Sequence, residues 1–166
     1  VATDHHQGFL LDRGFQVLLT AYPEVRRLWN YHELKLRAVR SGAVIRHQGG
    51  WRILPDPLKE PSQLWATLRS PVGNLLDKCQ VGRLSLQSLF WNEKNCFIRS
   101  PESTREWLGR QGFSPAMMEL FWRPFFGGVF LDDELQTGTD LFRFLFSLFV
   151  RGRVALPLQG MEQLPL

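Results

Sequence analysis

AVIRHQGGWRILPDPLKEPSQLW, Ala43 to Trp65, contains the point at which the chain changes its period. Ala43-Val44-Ile45-Arg46-His47-Gln48 and Trp51-Arg52-Ile53-Leu54 are short apolar-rich runs on either side of Gly49-Gly50. A glycine pair can take the positive φ angles that a two-residue turn requires, so the segment predicts a β-hairpin with both glycines at its tip. Pro55-Asp56-Pro57 closes it, because proline removes an N–H and restricts the residue before it. From Pro61 onward the apolar residues recur at helical spacing. Leu64, Trp65 and Leu68 share one face, and Val72, Leu75, Leu76 and Cys79 share another.

The rest of the chain follows from that change of period. Downstream, Ser103-Thr104-Arg105-Glu106 is a capping-box pattern that opens a helix through Trp107 and Leu108, ending near Gly112. Ser114-Pro115 is a second start, for a helix from Ala116 to Arg123. Asp140 can cap a last helix, Leu141 to Val150, which Gly152 terminates. Upstream, GFLLDRGFQVLL (Gly8 to Leu19) reads as two extended pieces joined by a tight turn around Asp12, Arg13 and Gly14. Pro23 begins a short helix with Val25, Leu28 and Trp29 on its buried face. Strands therefore concentrate in the first third and helices in the remainder. The fold class is α+β, a mixed β-sheet backed by a helical second half, in one domain over residues 1–166.

Composition supports a folded chain. At 166 residues about 70% of the unfolded surface can be buried, and 13 Phe and 6 Trp supply more apolar area than a disordered chain carries. The net charge of +4 is spread in ones and twos, with no Lys/Arg run of the kind that tracks a phosphate backbone, so nucleic acid is not an expected partner. Cys79 and Cys96 read as reduced core residues. No stretch approaches the roughly 20 apolar residues that cross a bilayer. Nothing in the sequence names a cellular compartment.

Chemical motifs are few. His5 and His6 are adjacent on an extended segment and point to opposite sides, and no third ligand stands at zinc spacing, so no metal site is expected. No G-x-S-x-G elbow, G-x-x-x-x-G-K-[ST] or G-x-G-x-x-G occurs, and no catalytic residue can be assigned. Asp132-Asp133-Glu134 reads as a solvated turn. What stands out is the aromatic stock: Phe121, Trp122, Phe125, Phe126 and Phe130, then Phe142, Phe144, Phe146 and Phe149. Between Leu141 and Val150 only Arg143 and Ser147 are polar, so this helix is apolar over most of its circumference. It is either a plain core helix, a wall of a cavity for an apolar substrate, or a patch that touches a membrane.

Three segments carry a resemblance. GFLLDRGFQVLLTAYPE (Gly8 to Glu24), GFSPAMMELFWRPFFGGVFLDDEL (Gly112 to Leu135) and ALPLQGMEQLP (Ala155 to Pro165) resemble, in order, parts of the FAD-dependent amine oxidase, phytoene desaturase and protoporphyrinogen oxidase superfamily. The resemblance implies the substrate-binding domain of a two-domain flavoprotein, with residues 1–20 and 155–166 at the junctions with an FAD-binding domain. It also implies that the chain, which opens at Val1, is an internal segment of a longer protein and is inactive by itself, with FAD bound only in the full-length protein. The family's D-x-G pattern falls on Asp12, Arg13 and Gly14, followed by Phe15 and Gln16, and these five positions would lie against the flavin. Phe15 departs from the amine oxidase form, in which a second glycine is usual. The implied chemistry is hydride transfer from an apolar small molecule to flavin, with Phe125, Phe126, Phe130, Phe144 and Phe146 as candidate substrate contacts. Apolar surface left exposed would be covered by the FAD-binding domain, by a membrane surface or by a second copy of the chain.

Overall fold

Two-residue turns set the longer strands. Gln7 and Gly8 lie at φ 49° and 85°, and Gln48 and Gly49 at φ 49° and 77°, both pairs in the left-handed region that tight hairpins use. Each turn follows a histidine, as His6-Gln7-Gly8 and His47-Gln48-Gly49. The first joins β1 (Ala2–His6) to β2 (Phe9–Arg13), and the second joins β5 (Gly42–His47) to β6 (Gly50–Pro55). Between them lie β3 (Leu18–Leu19), α1 (Pro23–Leu28) and β4 (Arg37–Ala38). After them come α2 (Leu64–Arg69), α3 (Leu75–Ser88), α4 (Thr104–Arg110), α5 (Pro115–Met117), α6 (Arg123–Phe130), α7 (Thr139–Arg151) and β7 (Val154–Leu156). This computed structural model describes residues 2–14, 17–91, 96 and 102–164. The fold is α+β. Among the described residues its strands form three small antiparallel sheets in place of one mixed sheet, because two of the three are hairpins closed by two-residue turns.

The chain divides into two compact units, residues 1–40 with 151–166, and residues 41–150. In the first unit β7 lies between β3 and β4, pairing Leu18 with Ala155 and Ala38 with the same residue from the other side. Its core gathers Leu18, Val25, Met161 and Leu164. The extended pieces expected on either side of Gly14 are present, but β2 pairs back onto β1 and not with β3. In α1 only Val25 is buried. The helix stops at Leu28, which is 66% exposed, so the expected three-residue face is not completed.

In the second unit the hairpin is displaced by one residue from its expected turn. Gly50 begins β6 opposite His47, and Gln48, with no glycine's freedom, takes the left-handed position instead. The register explains the displacement. It sets Val44 against Ile53 and Arg46 against Trp51, favourable cross-strand pairs, whereas a Gly49-Gly50 turn would set Val44 opposite Pro55. The strand ends at Pro55, as its missing N–H requires.

Capping signals locate the helices. Ser103 Oγ accepts from Glu106 N, and the Glu106 carboxylate accepts from Ser103 N. Ser114 Oγ accepts from Met117 N. The helix begun at Pro115 runs further than its expected end at Arg123, through a π-turn over Met118–Trp122 and into α6. The widening sits where a regular helix would drive the Pro124 ring into the carbonyl of Leu120. Asp140 lies inside the first turn of α7, one residue past Thr139, and so is not the N-cap.

The inner face of α3 is set by polar residues. Asp77, Leu84, Ser85 and Ser88 are buried, so Leu75, Leu76 and Cys79 turn to solvent. Cys79 is thus not a core residue, whereas Cys96 is buried. Leu64 and Trp65 are likewise exposed, because α2 turns Thr67 inward to donate to Pro55 O at 3.0 Å.

Candidate functional site

The segment singled out by its D-x-G pattern lies at the end of β2. Thr3 on β1 faces Asp12 across the hairpin, and Thr3 Oγ1 donates to Asp12 Oδ1 at 2.6 Å. The same oxygen accepts the backbone N–H of Met161 at 2.8 Å. Glu162 N donates to Thr3 Oγ1 at 3.2 Å, and Thr3 N donates to Glu162 Oε2 at 3.1 Å. Two segments from opposite ends of the chain are therefore joined by three hydrogen bonds, with the Thr3–Asp12 bond bracing the hairpin side. Gly160 permits the approach. It sits at φ 96°, and a Cβ there would lie 2.5 Å from Thr3 Cγ2 and Oγ1. Met161 is fully buried beneath the network.

Arg13 points elsewhere. Its guanidinium forks onto Asp4, Nε to Oδ2 at 2.6 Å and the terminal nitrogen to Oδ1 at 3.0 Å, on the exposed side of the hairpin. Gly14 follows at φ 116°, and among the described residues beyond its chain neighbours no atom lies within 4 Å of the position a Cβ would take. Phe15 and Gln16 lie outside the described residues.

The aromatic residues belong to the second unit, and apart from Phe144 they gather in one cluster with Trp122, which is fully buried. Its ring centre lies 5.0 Å from Phe121, 5.1 Å from Phe113, 5.8 Å from Phe142 and 5.9 Å from both Phe126 and Phe146. Phe142 and Phe146 stack at 5.6 Å with planes 16° apart. Of the five candidate substrate contacts, Phe126, Phe144 and Phe146 are buried, whereas Phe125 and Phe130 are half-buried at the margin of the cluster. The indole Nε1 of Trp122 and the Nε of Arg143 are buried without a hydrogen-bond partner. Arg143 instead lays its guanidinium 4.8 Å from the centre of the Trp91 ring.

The acidic cluster is a structured loop. Asp132 Oδ2 accepts from Thr137 N at 2.7 Å and Thr137 Oγ1 at 2.8 Å, and these bonds hold its carboxyl below the usual carboxylate range. Glu134 pairs with both Arg105 and Arg123. This arrangement closes α6 and leaves no free carboxyl pair for acid–base work.

The family described as flavin containing amine oxidoreductase has a model that matches residues 1–166. The chain belongs to this family. No curated protein and no solved structure matches it. A flavin cofactor is thereby implied, and the local geometry at Gly14 can be tested against one. A glycine at positive φ with open space over its Cα offers bare backbone to a flat ring, and any side chain would take that space and strain the backbone. The residues fit the group. The dinucleotide end of such a cofactor is another matter. Among the described residues every strand pairing is antiparallel, and the sequence holds no G-x-G-x-x-G, so no parallel βαβ cradle for a pyrophosphate is found among them.

Sequence reasoning missed the partners of Asp12 in this oxidoreductase. Thr3 carries no motif, and the Gly160-Met161 pair was visible only through its place in the third resembling segment. The one physical signal for Gly160 is its glycine identity, which does not say what it must clear.

Proposed function

We propose that residues 1–166 form the substrate-side portion of a flavin-dependent oxidoreductase that takes a hydride equivalent from an apolar substrate, in an amine oxidase-like or carotenoid desaturase-like reaction. The segment Asp12 to Gly14 is the part of the chain that meets the cofactor. The observation that carries this reading is the open backbone of Gly14 at φ 116°, next to a carboxylate that ties β2 to Gly160 and Met161. When bound, flavin supplies the hydride acceptor.

The chain's own residues hold and shield. Asp12, bonded to Thr3 and to Met161 N, fixes the end of β2 so that Gly14 presents peptide groups and not a side chain. Phe125 and Phe130 keep ring surface free for an apolar molecule, and Phe126 and Phe146 stiffen the layer behind them. Such a lining excludes water from the reacting carbon and holds the substrate by area rather than by charge.

The test uses the flavin-loaded full-length enzyme. Gly14→Val should change the visible flavin spectrum or flavin content and slow anaerobic reduction of the flavin by substrate. Arg110→Ala, which removes an ion pair with Glu102 outside that segment, should leave both unchanged. An unaltered spectrum and an unaltered reduction rate in Gly14→Val would remove the segment from the cofactor site.

A further inference from the structure

A cavity of about 260 Å³ opens in the second unit where α4, the π-turn and α6 meet. Met118 and Leu135 line it on the apolar side, and Arg105, Glu119 and Arg123 give it charge. Gly109, in α4, belongs to the same lining. Its φ is not positive, so the backbone does not require glycine there. Beyond its chain neighbours and its own helix backbone, no described atom lies within 4 Å of where a Cβ would stand, so a longer side chain at this position would take up cavity space. The volume falls below the roughly 300–1,000 Å³ of drug-sized sites and suits one ring or a short branched chain.

The charged wall already holds a carboxylate. Arg105 Nη1 donates to Glu134 Oε2 at 2.9 Å and Arg123 Nη2 to Glu134 Oε1 at 2.8 Å, one oxygen to each guanidinium. Two further bonds, Nε to Asp133 O at 2.8 Å and Nη1 to Glu119 Oε2 at 2.9 Å, orient Arg123 before any ligand arrives. Glu134 holds its place weakly, because its side chain is 58% exposed and ion pairs in water contribute little. It is not one of the lining residues, so its carboxylate bridges the arginines while the apolar side of the cavity stays bare. Two arginines against one glutamate leave the lining with a single positive charge. We propose that this cavity binds a small monocarboxylic acid with an apolar ring, whose carboxylate displaces Glu134 from Arg105 and Arg123 and whose ring fills the apolar part of the cavity. Charge-assisted bonds from two guanidiniums select the anion over a neutral amide of the same shape. The inference does not rest on the flavin reading.

An NMR titration of the isotope-labelled 166-residue chain with cinnamate tests the assignment. The amide signals of Gly109, Met118 and Leu135 should move, with a dissociation constant of about 1 mM, and cinnamamide should leave them in place. Arg105→Met should weaken binding about tenfold. Glu134→Gln should strengthen it about two- to fivefold, because the tethered competitor loses its charge, a gain that a misfolded variant does not show. Gly109→Leu, which puts a good helix former into α4, should abolish binding without lowering the thermal midpoint. An equal response to the amide, weaker binding in Glu134→Gln, full binding in Gly109→Leu, or no response at the three amides would each overturn the proposal.

Discussion

Asp12 Oδ1 accepts the backbone N–H of Met161 at 2.8 Å, joining two residues 149 positions apart. The same oxygen also receives the hydroxyl of Thr3, so a single carboxylate holds β1, β2 and the turn after β7 in one arrangement. Asp12→Ala should therefore destabilise the chain by about 1–3 kcal/mol, the range for a partly buried donor left unpaired. Asp12→Asn, which retains an acceptor oxygen, should cost less. Asp4→Ala, which removes only the exposed partner of Arg13, should cost under about 1 kcal/mol. Chemical denaturation of the three variants gives the order, and equal losses at positions 4 and 12 would contradict it.

Acid should loosen the second unit through Asp77. Burial pushes its carboxyl pKa up, but bonds from Ser114 N, Ser114 Oγ and Asn74 N, with Lys78 nearby, outweigh this and bring it below the usual carboxylate range. A carboxyl lowered on folding stabilises above its unfolded pKa of about 4, and that stability is lost as pH falls through the folded value. Thermal midpoints should thus drop on the acid side of pH 4. Asp77→Asn should lower the midpoint at neutral pH, because its amide would face the N–H of Asn74, and should flatten the acid-side slope. An unchanged slope would assign the acid sensitivity to other carboxylates.

The two glycines at the hairpin tip should respond in opposite directions. Gly49 lies at φ 77°, so Gly49→Val should cost about 1 kcal/mol or more. Gly50 lies in the strand, and a Cβ there meets nothing closer than 3.8 Å, so Gly50→Val should be neutral or stabilising by up to about 1 kcal/mol. Comparable losses at both positions would restore a Gly49-Gly50 turn.

Leu131 closes α6 in the left-handed conformation at φ 56°, with its N–H on Gly127 O, and is 93% exposed. A leucine there carries a backbone penalty of about 1–2 kcal/mol and buries nothing in return. Leu131→Gly should raise the unfolding free energy by up to about 1 kcal/mol, after the greater freedom of glycine in the unfolded chain is discounted. A lower midpoint in this variant would mean that the leucine packs in a way its exposure does not show.

The legible features of this chain are those with local causes. Ser103 with Glu106, and Ser114 with Pro115, announce helix starts because the bonds they make span only a few residues. The hairpin was legible as a hairpin, but its register depends on which side chains meet across it, and Val44 against Ile53 outweighed the comfort of a glycine at position 48. Helical spacing alone put Leu75, Leu76 and Cys79 on a buried face. The phase of α3 is fixed instead by Asp77 reaching Ser114, a contact between residues 37 positions apart. Of the candidate cofactor segment, the glycine was readable and the network that holds it was not, since Thr3, Gly160 and Glu162 meet Asp12 only after the chain ends come together.

The strand order β3-β7-β4 has a consequence for biosynthesis. Both partners of β7 emerge from the ribosome early, yet neither can complete its pairing until Val154 to Leu156 are translated. Residues 41–150 need no such late arrival, and their helices can condense around Trp122 while synthesis continues. During that interval the early strands are open edges, available to wrong partners. A chaperone bound to the nascent chain would find its longest-lived target in residues 1–40, and a ribosome stalled just before β7 would hold residues 41–150 folded while β3 and β4 still wait.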